Sequence, residues 1–468
     1  MNTSNAKSIA ANASFLLTAQ LIVRVLRGLY IVLLVRYLGP ELYGVFQYVQ
    51  NWFVTFTPLT LFGIGAILSR EIGKDKHNGQ HIVSTTFIIR LTSGIALSLT
   101  ALALGLFTEP DADIRHLMII LAALLLGRAL VNWVKEIFIA YEKTQYHVVQ
   151  VTLSNIVQIG FGATVMMNGG GIEALALVYI TALFLEFIAS FIFINRKIIK
   201  MQMDINIQKI KTIVKDGLPI GLTVALNRWM IFGPTVIGRY AFDYKNSLGQ
   251  LSVILLLLFF ASLIIDAVLH AALPVLSRAM QYQKHGSSNF INIALSLSIP
   301  LTCCVGLFTV TYNQPIIQTL FGAEYQAAGA ILDFAVWLLL PYIWMTTMAQ
   351  IFILKQDTLR LSFWTLLGVL WMAGLLPLCV MKFDLIGAIY AMAVGMTITT
   401  IGLAFHGFTR GYLHNFHLEK TAALSAAVLL TYAVIYHYST AEYALLGSLV
   451  LFTPFLARIT KHAVHLFR

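Results

Sequence analysis

SFLLTAQLIVRVLRGLYIVLLV, residues 14 to 35, is long enough at about 1.5 Å per residue to cross a hydrocarbon core of about 30 Å, yet it carries Arg24 and Arg27 in its middle. Gln20, Arg24 and Arg27 are spaced i, i+4, i+7 and share one helical face. Each Leu, Ile, Val or Phe favours insertion by about 0.3 to 0.6 kcal/mol and each mid-membrane arginine opposes it by about 2.5 to 3.5 kcal/mol, so the two sums nearly cancel. A helix this marginal does not turn its arginines to lipid. That face is expected to line a protein interior or a water-filled cavity, and a cavity lined by guanidinium groups accepts an anion.

The rest of the chain carries the same membrane signature. Of 468 residues, 59% are hydrophobic and 11% are charged, with a mean hydropathy of +0.81. A soluble protein of this size could not solvate such a surface. The formal net charge of +11 would suit a nucleic-acid ligand, but the basic residues are spread through short loops with no nucleic-acid-binding motif, so none is expected as a partner. Cys303, Cys304 and Cys379 lie in apolar runs and read as small packing residues, without disulfide or metal-type spacing. MNTSNAKSIAANAS at the N-terminus lacks the basic region, short apolar region and small-residue cleavage site of a signal peptide, so the first span is read as a retained anchor.

Apolar runs of spanning length lie near residues 14–35, 43–67, 82–107, 116–140, 148–168 and 172–194, then near 218–238, 248–273, 290–312, 331–354, 361–381, 386–408, 421–438 and 443–460. The expected fold is therefore all-α and polytopic, with about fourteen transmembrane helices and no soluble domain. Lysines and arginines divide about twenty to five between the two sets of loop ends, which places both termini in the cytoplasm. The longest connection, NRKIIKMQMDINIQKIKTIVKDG, alternates basic and apolar residues at helical spacing. It reads as an amphipathic linker on an anionic leaflet, or more plainly as a solvated positive-inside loop. The organisation that follows is a six-helix bundle over 1–194, a cytoplasmic linker over 195–217, a second six-helix bundle over 218–410 and two additional helices over 411–468.

The two bundles resemble each other. ILSR at 67–70 answers VLSR at 275–278, and Lys76-His77 answers Lys284-His285, at an offset of 275 − 67 = 208; Arg36-Tyr37 answers Arg239-Tyr240 at 239 − 36 = 203. Six spans per unit is an even number, so the units point the same way, as parallel repeats do. Arg24 shifted by 228 − 24 = 204 lands on Arg228, with Asn227 beside it as an added amide. The fourth span repeats the stripe of the first, with Arg128, Asn132 and Lys135 at i, i+4, i+7. Arg90, about two turns inside the third span, completes the cationic set, with snorkelling to the interface as its alternative reading.

Glu186, Asp266 and Asp333 are intramembrane acids, and His270 shares a face with Asp266 at i, i+4. These four are candidates for proton or ion coupling; the alternative for each acid is to neutralise an arginine inside the bundle. No phosphate-binding loop, Ser/His/Asp arrangement or zinc spacing is present in the sequence, so neither an enzyme nor a cofactor is expected.

RYLGPELYGVFQYVQ, ALPVLSRAMQYQKHG and QPIIQTLFGAEYQAAGAILDFAVWLLLP, with the element Leu320 to Tyr325 as the most specific part, resemble the Wzx-type polysaccharide flippases. These belong to the superfamily that also holds multidrug extruders and peptidoglycan lipid flippases. The resemblance implies two pseudo-symmetric six-helix bundles in a V, alternating access, and a cationic cavity for an undecaprenyl-pyrophosphate-linked oligosaccharide of the O-antigen or lipopolysaccharide kind. It also implies the bacterial inner membrane as location, and a polysaccharide polymerase and chain-length regulator as partners, with a proton or sodium counter-ion as a candidate driver. The last two helices depart from the twelve common among such flippases. A multidrug or cation antiporter of the same superfamily is the alternative, for which an acidic cavity is expected; a membrane enzyme or assembly factor acting on the same lipid is the third reading.

Overall fold

A computed structural model describes residues 3–74, 79–200, 207–242, 245–262 and 286–412; side chains are described from Val25 onward, apart from residues 66, 74, 209, 216, 220, 286–301 and 304. The described residues contain helices and no strand. In chain order these are α1 (Thr3–Phe56), α2 (Ile64–Lys74), α3 (Gly79–Thr108), α4 (Ala112–Leu121), α5 (Ala123–Ala140), α6 (Thr144–Met167), α7 (Ile172–Lys197), α8 (Ile207–Ala241), α9 (Lys245–Ser262), α10 (Gly286–Phe321), α11 (Gln326–Ala335), α12 (Leu339–Leu354) and α13 (Thr358–Thr409). Among the described residues eight helical stretches are long and apolar enough to cross a membrane, and the bent α8 makes a ninth.

The two longest helices each hold two spans. α1 has 54 residues, about 80 Å at 1.5 Å per residue and over twice a hydrocarbon core, but it is broken at Gly39 (φ 68°, ψ 173°) just before Pro40. Glycine takes this left-handed backbone without a Cβ penalty, and proline is preorganised to begin the next helix. α13 has 52 residues and breaks at Asp384 (φ 50°, ψ −133°). Its arms run antiparallel: Gly387 lies on the Cys379 carbonyl, Gly395 on the Gly368 carbonyl, and Trp364 Nε1 donates to His406 Nδ1 at 2.9 Å. Residues 421–438 and 443–460, expected as the last two spans, lie outside the described residues.

The chain forms two compact units, Met1–Arg228 and Trp229–Arg468. In the first, Ile64, Leu68 and Ile72 of α2 present one face at i, i+4, i+8 to Trp133, Val134 and Ile137 of α5. Ile194 of α7 and Ile213 of α8 complete this cluster. The expected linker is thus corrected. From Ile207 it is helical and continuous with the next span, and the apolar Ile210, Ile213 and Val214 pack on the unit's own core. Lys211, Thr212 and Lys215 stay exposed, so the amphipathic pattern is real but its apolar face is taken by protein. Gly217 permits this approach because a Cβ there would strike the Phe62 carbonyl. α8 then bends by 41° between Pro219 and Gly221.

In the second unit, Gln250 of α9 clasps the start of α11. Its Nε2 donates to the Glu324 carbonyl at 2.8 Å and its Oε1 accepts from the Ala328 amide at 2.9 Å. Gly322 (φ 101°) ends α10, and Tyr325 is fully buried with its ring 6.1 Å from that of Phe321. The element Leu320 to Tyr325 is therefore a helix stop followed by a buried anchor.

Arg90 also corrects its expected role. It is 0% exposed and neither snorkels nor faces a cavity. Its Nη2 meets Glu136 Oε2 at 2.6 Å, and its Nη1 donates to the Thr60 carbonyl at 2.7 Å, joining α3, α5 and the turn after α1. Removing one partner leaves a buried charge uncompensated. Glu136→Leu is expected to lower unfolding stability by about 3 to 5 kcal/mol, and Arg90→Met with Glu136→Leu to recover most of it. Thermal melts in detergent of the two single variants and the double variant measure this.

Tyr141, just past α5, is buried with its hydroxyl unpartnered, and burial pushes its phenol up from 10.0 to about 12. Because the folded value is the higher one, the neutral phenol's contribution is full below pH 10 and is lost as pH rises through about 12. Tyr141→Phe is expected to leave the melting temperature at pH 7.5 unchanged or higher and to flatten its decline between about pH 10 and 12, followed by circular dichroism.

Candidate functional site

Four helices of the first unit converge on one polar cluster. α7 supplies Tyr179 and Glu186, two turns apart on one face; α6 supplies Gln150 and Ser154; α5 supplies Arg128; and α1 supplies Arg27. Tyr30, one turn beyond Arg27, lies on Gly162 of α6 with no room for a Cβ, which seats α1 against α6 at this level.

Glu186 is 8% exposed. Gln150 Nε2 donates to its Oε1 at 3.3 Å, the Ser154 side chain bonds it as well, and Arg27 and Arg128 are its charged neighbours. Arg128 Nη2 donates to the Tyr179 hydroxyl, and the guanidinium carbon stands 5.7 Å from the centre of that ring. Its Nε is buried without a hydrogen-bond partner. Arg27 is exposed. Two guanidinium groups thus surround one carboxylate, a local excess of one positive charge, with an exposed arginine at the edge able to reach an anion.

The structure brings together Arg27, Arg128 and Glu186 from among the residues singled out in the sequence. Asn132 follows Arg128 on α5 and is half-buried, while Lys135 is exposed and lies near Glu136 and His147. Asn227 donates to the Thr223 carbonyl at 3.0 Å, one turn back in its own helix, and Arg228 is exposed beside it. Asp333 accepts from Asn313 Nδ2 at 2.7 and 2.8 Å, so its nearest partner is an amide. The side chains of Gln20 and Arg24, and all of Asp266 and His270, lie outside the described residues. No group of three or more metal-ligating side chains occurs among the described residues. Sequence reasoning missed Gln150, Ser154 and Tyr179; their i, i+4 spacing on α6 and the i, i+7 spacing of Tyr179 and Glu186 on α7 were the available signal.

The fold and the site define a multi-pass membrane protein with a transporter architecture. Among solved structures, the inward closed conformation of the lipid II flippase MurJ superposes with a TM-score of 0.75 at 17% identity, covering 96% of this chain and 99% of that one. An inward-facing multidrug resistance MATE transporter of the MOP superfamily gives a TM-score of 0.67 at 16% identity, covering 84% and 94%. A MOP superfamily transporter from Pyrococcus furiosus, described by a reverse polarity of its binding pocket, gives 0.60 at 16%, covering 84% and 92%. At such identities the likeness is one of fold. No curated protein matches the chain. The sequence itself matches the family described as "Polysaccharide biosynthesis protein" over residues 9–280, more than half the chain, and belongs to that family.

The geometry at Arg128 has a direct test. Tyr179→Phe removes the hydroxyl and keeps the ring, and is expected to cost about 0.5 to 1.5 kcal/mol of stability. Tyr179→Leu loses the ring face as well and should cost about 0.5 to 1 kcal/mol more. Detergent melts of both variants provide the comparison.

Proposed function

We propose that the chain is a flippase that carries undecaprenyl-pyrophosphate-linked oligosaccharide repeat units from the inner to the outer leaflet of the bacterial cytoplasmic membrane by alternating access. The observation that carries this reading is the pair of guanidinium groups, Arg27 and Arg128, gathered around a single carboxylate at membrane depth. A diphosphate needs donors that are always charged and can bind two oxygens at once, and guanidinium supplies both. Membership of a polysaccharide biosynthesis family and a fold shared with a lipid II flippase support a lipid-linked sugar as the cargo. Arg24, Gln20, Asn132, Lys135, Asn227 and Arg228 are proposed to extend the cationic surface.

The positive-inside bias supports cytoplasmic termini. The product, a repeat unit on the outer leaflet, is the substrate of a polymerase and its chain-length regulator in making surface polysaccharide. An antiporter for cationic drugs shares the fold, as the MATE neighbours do, but a cation would be repelled by a cluster with excess positive charge. The reverse pocket polarity described for the Pyrococcus furiosus transporter supports the view that this fold hosts binding sites of differing charge.

The test is complementation of surface polysaccharide in cells lacking their own flippase. Arg24→Ala, Arg27→Ala and Arg128→Ala, each at normal protein level, are expected to reduce export by about tenfold or more, and the Lys replacements to restore part of it. Unchanged export by all three Ala variants overturns the reading.

A further inference from the structure

Glu186 is the group in the cluster that a simple anion site does not require. It is buried and held by hydrogen bonds from α6 through Gln150 and Ser154, and its charged neighbours come from α1 and α5. A diester of pyrophosphoric acid carries two negative charges. With Glu186 ionised, the two arginines and the carboxylate sum to +1, and the arriving dianion meets a like charge already in place. With Glu186 protonated the sum is +2, which matches the ligand. A buried charge that loses its counter-charge has a high energy, so one anion or the other must attend the arginines.

We propose that Glu186 is a resident counter-anion: it neutralises the Arg27–Arg128 pair when the site is empty, and it takes up one proton when a diphosphate replaces it there. This rests on the anion-site reading above and adds a specific exchange to it. The proton is bound at the Glu186 carboxyl from the aqueous side as the dianion arrives, and is released when the dianion leaves and the carboxylate returns to the arginines. No bond other than that O–H forms or breaks. By linkage, the ligand favours the protonated carboxyl to the same extent that the protonated carboxyl favours the ligand. The exchange also serves release, because the returning carboxylate competes for the guanidinium groups.

The groups facing Glu186 are Arg27 from α1, Arg128 from α5, and Gln150 and Ser154 from α6. His147, one turn from Gln150 and bonded to it, is the other titratable side chain on this face of α6. Glu186→Gln keeps the size and one carbonyl acceptor for Ser154, removes the charge, and leaves His147 in place.

The experiment is calorimetric binding of a soluble dialkyl pyrophosphate, ionised throughout the range used, to the full-length protein in detergent between pH 5.5 and 8.5. Native protein is expected to bind more weakly as pH rises, by up to about tenfold per pH unit above the titration of Glu186. In two buffers of different ionisation enthalpy at one pH, it should show uptake of close to one proton per ligand. Glu186→Gln should bind about tenfold more tightly at pH 7.5, lose the uptake, and export more slowly in the complementation assay because release is impaired. Any pH dependence left in that variant belongs to His147. Zero proton uptake by the native protein overturns the proposal even if Glu186→Gln fails to fold, and so does equal affinity and pH profile of native and variant protein. If Arg27→Ala and Arg128→Ala bind as tightly as native protein, the anion-site reading fails instead, which separates the two.

Discussion

Placing a guanidinium group in a low-dielectric interior is the constraint from which this structure follows. Arginine does not shed its proton at any ordinary pH, so it must be given an anion, a set of oxygens or water. The first unit meets that demand in two ways. Arg90 receives a complete set from protein, with Glu136 at 2.6 Å and the Thr60 carbonyl at 2.7 Å, and becomes part of the scaffold. Arg27 and Arg128 share Glu186 and keep a charge in excess. The first arrangement consumes a carboxylate per cation. The second leaves a cation available.

The scaffold arrangement explains how the available one is held in place. Arg90 ties α3 to α5 and to the turn after α1, and Trp133 of α5 lies inside the same core with Ile64 and Leu68 of α2. Trp133 also donates to Thr86 of α3 at 3.1 Å, and its ring is 5.0 Å from that of Phe87. α5 is thereby fixed along the length that carries Arg128, and Tyr179 fixes the guanidinium itself. Close backbone approach does the rest. Tyr30 against Gly162 seats α1 on α6, and Gly217 against Phe62 seats the start of α8, each at a position where a Cβ would not fit. In lipid, where there is no water to exclude between helices, such small-residue contacts and buried polar bonds set the packing.

The spans were legible in the sequence because length and apolarity are set by bilayer thickness, and the breaks at Gly39 and Asp384 fall between the expected spans. Arg27, Arg128 and Glu186 were legible as costly residues at depth. Their partnerships were not. Arg90 and Arg128 look alike along the sequence, each an arginine well inside an apolar run, and only the approach of α5 to α3 assigns Glu136 to the first. The same limit applies to the segment from Ile207. Its amphipathic face was plain, but whether lipid or protein covers such a face depends on where α2 and α5 lie, and periodicity carries no information on that.

That distinction between a cation satisfied by its own protein and one left in excess bears on why one fold can serve cargoes of opposite charge. The helices that set the architecture are chosen by span length, breaks and small-residue contacts, none of which depends on the sign of the site. Sign is decided by a few polar side chains on the inner faces of α1, α5, α6 and α7, and exchanging an arginine for an acid there changes no helix boundary. Glu186 shows how fine the balance is. Adding one carboxylate to the two arginines takes the cluster from +2 to +1, and one more would bring it to neutrality. A site so near balance is tuned by single charges, so discrimination between an anionic and a cationic cargo resides in the count of guanidinium groups that the interior leaves unneutralised, not in the shape of the bundle that surrounds them.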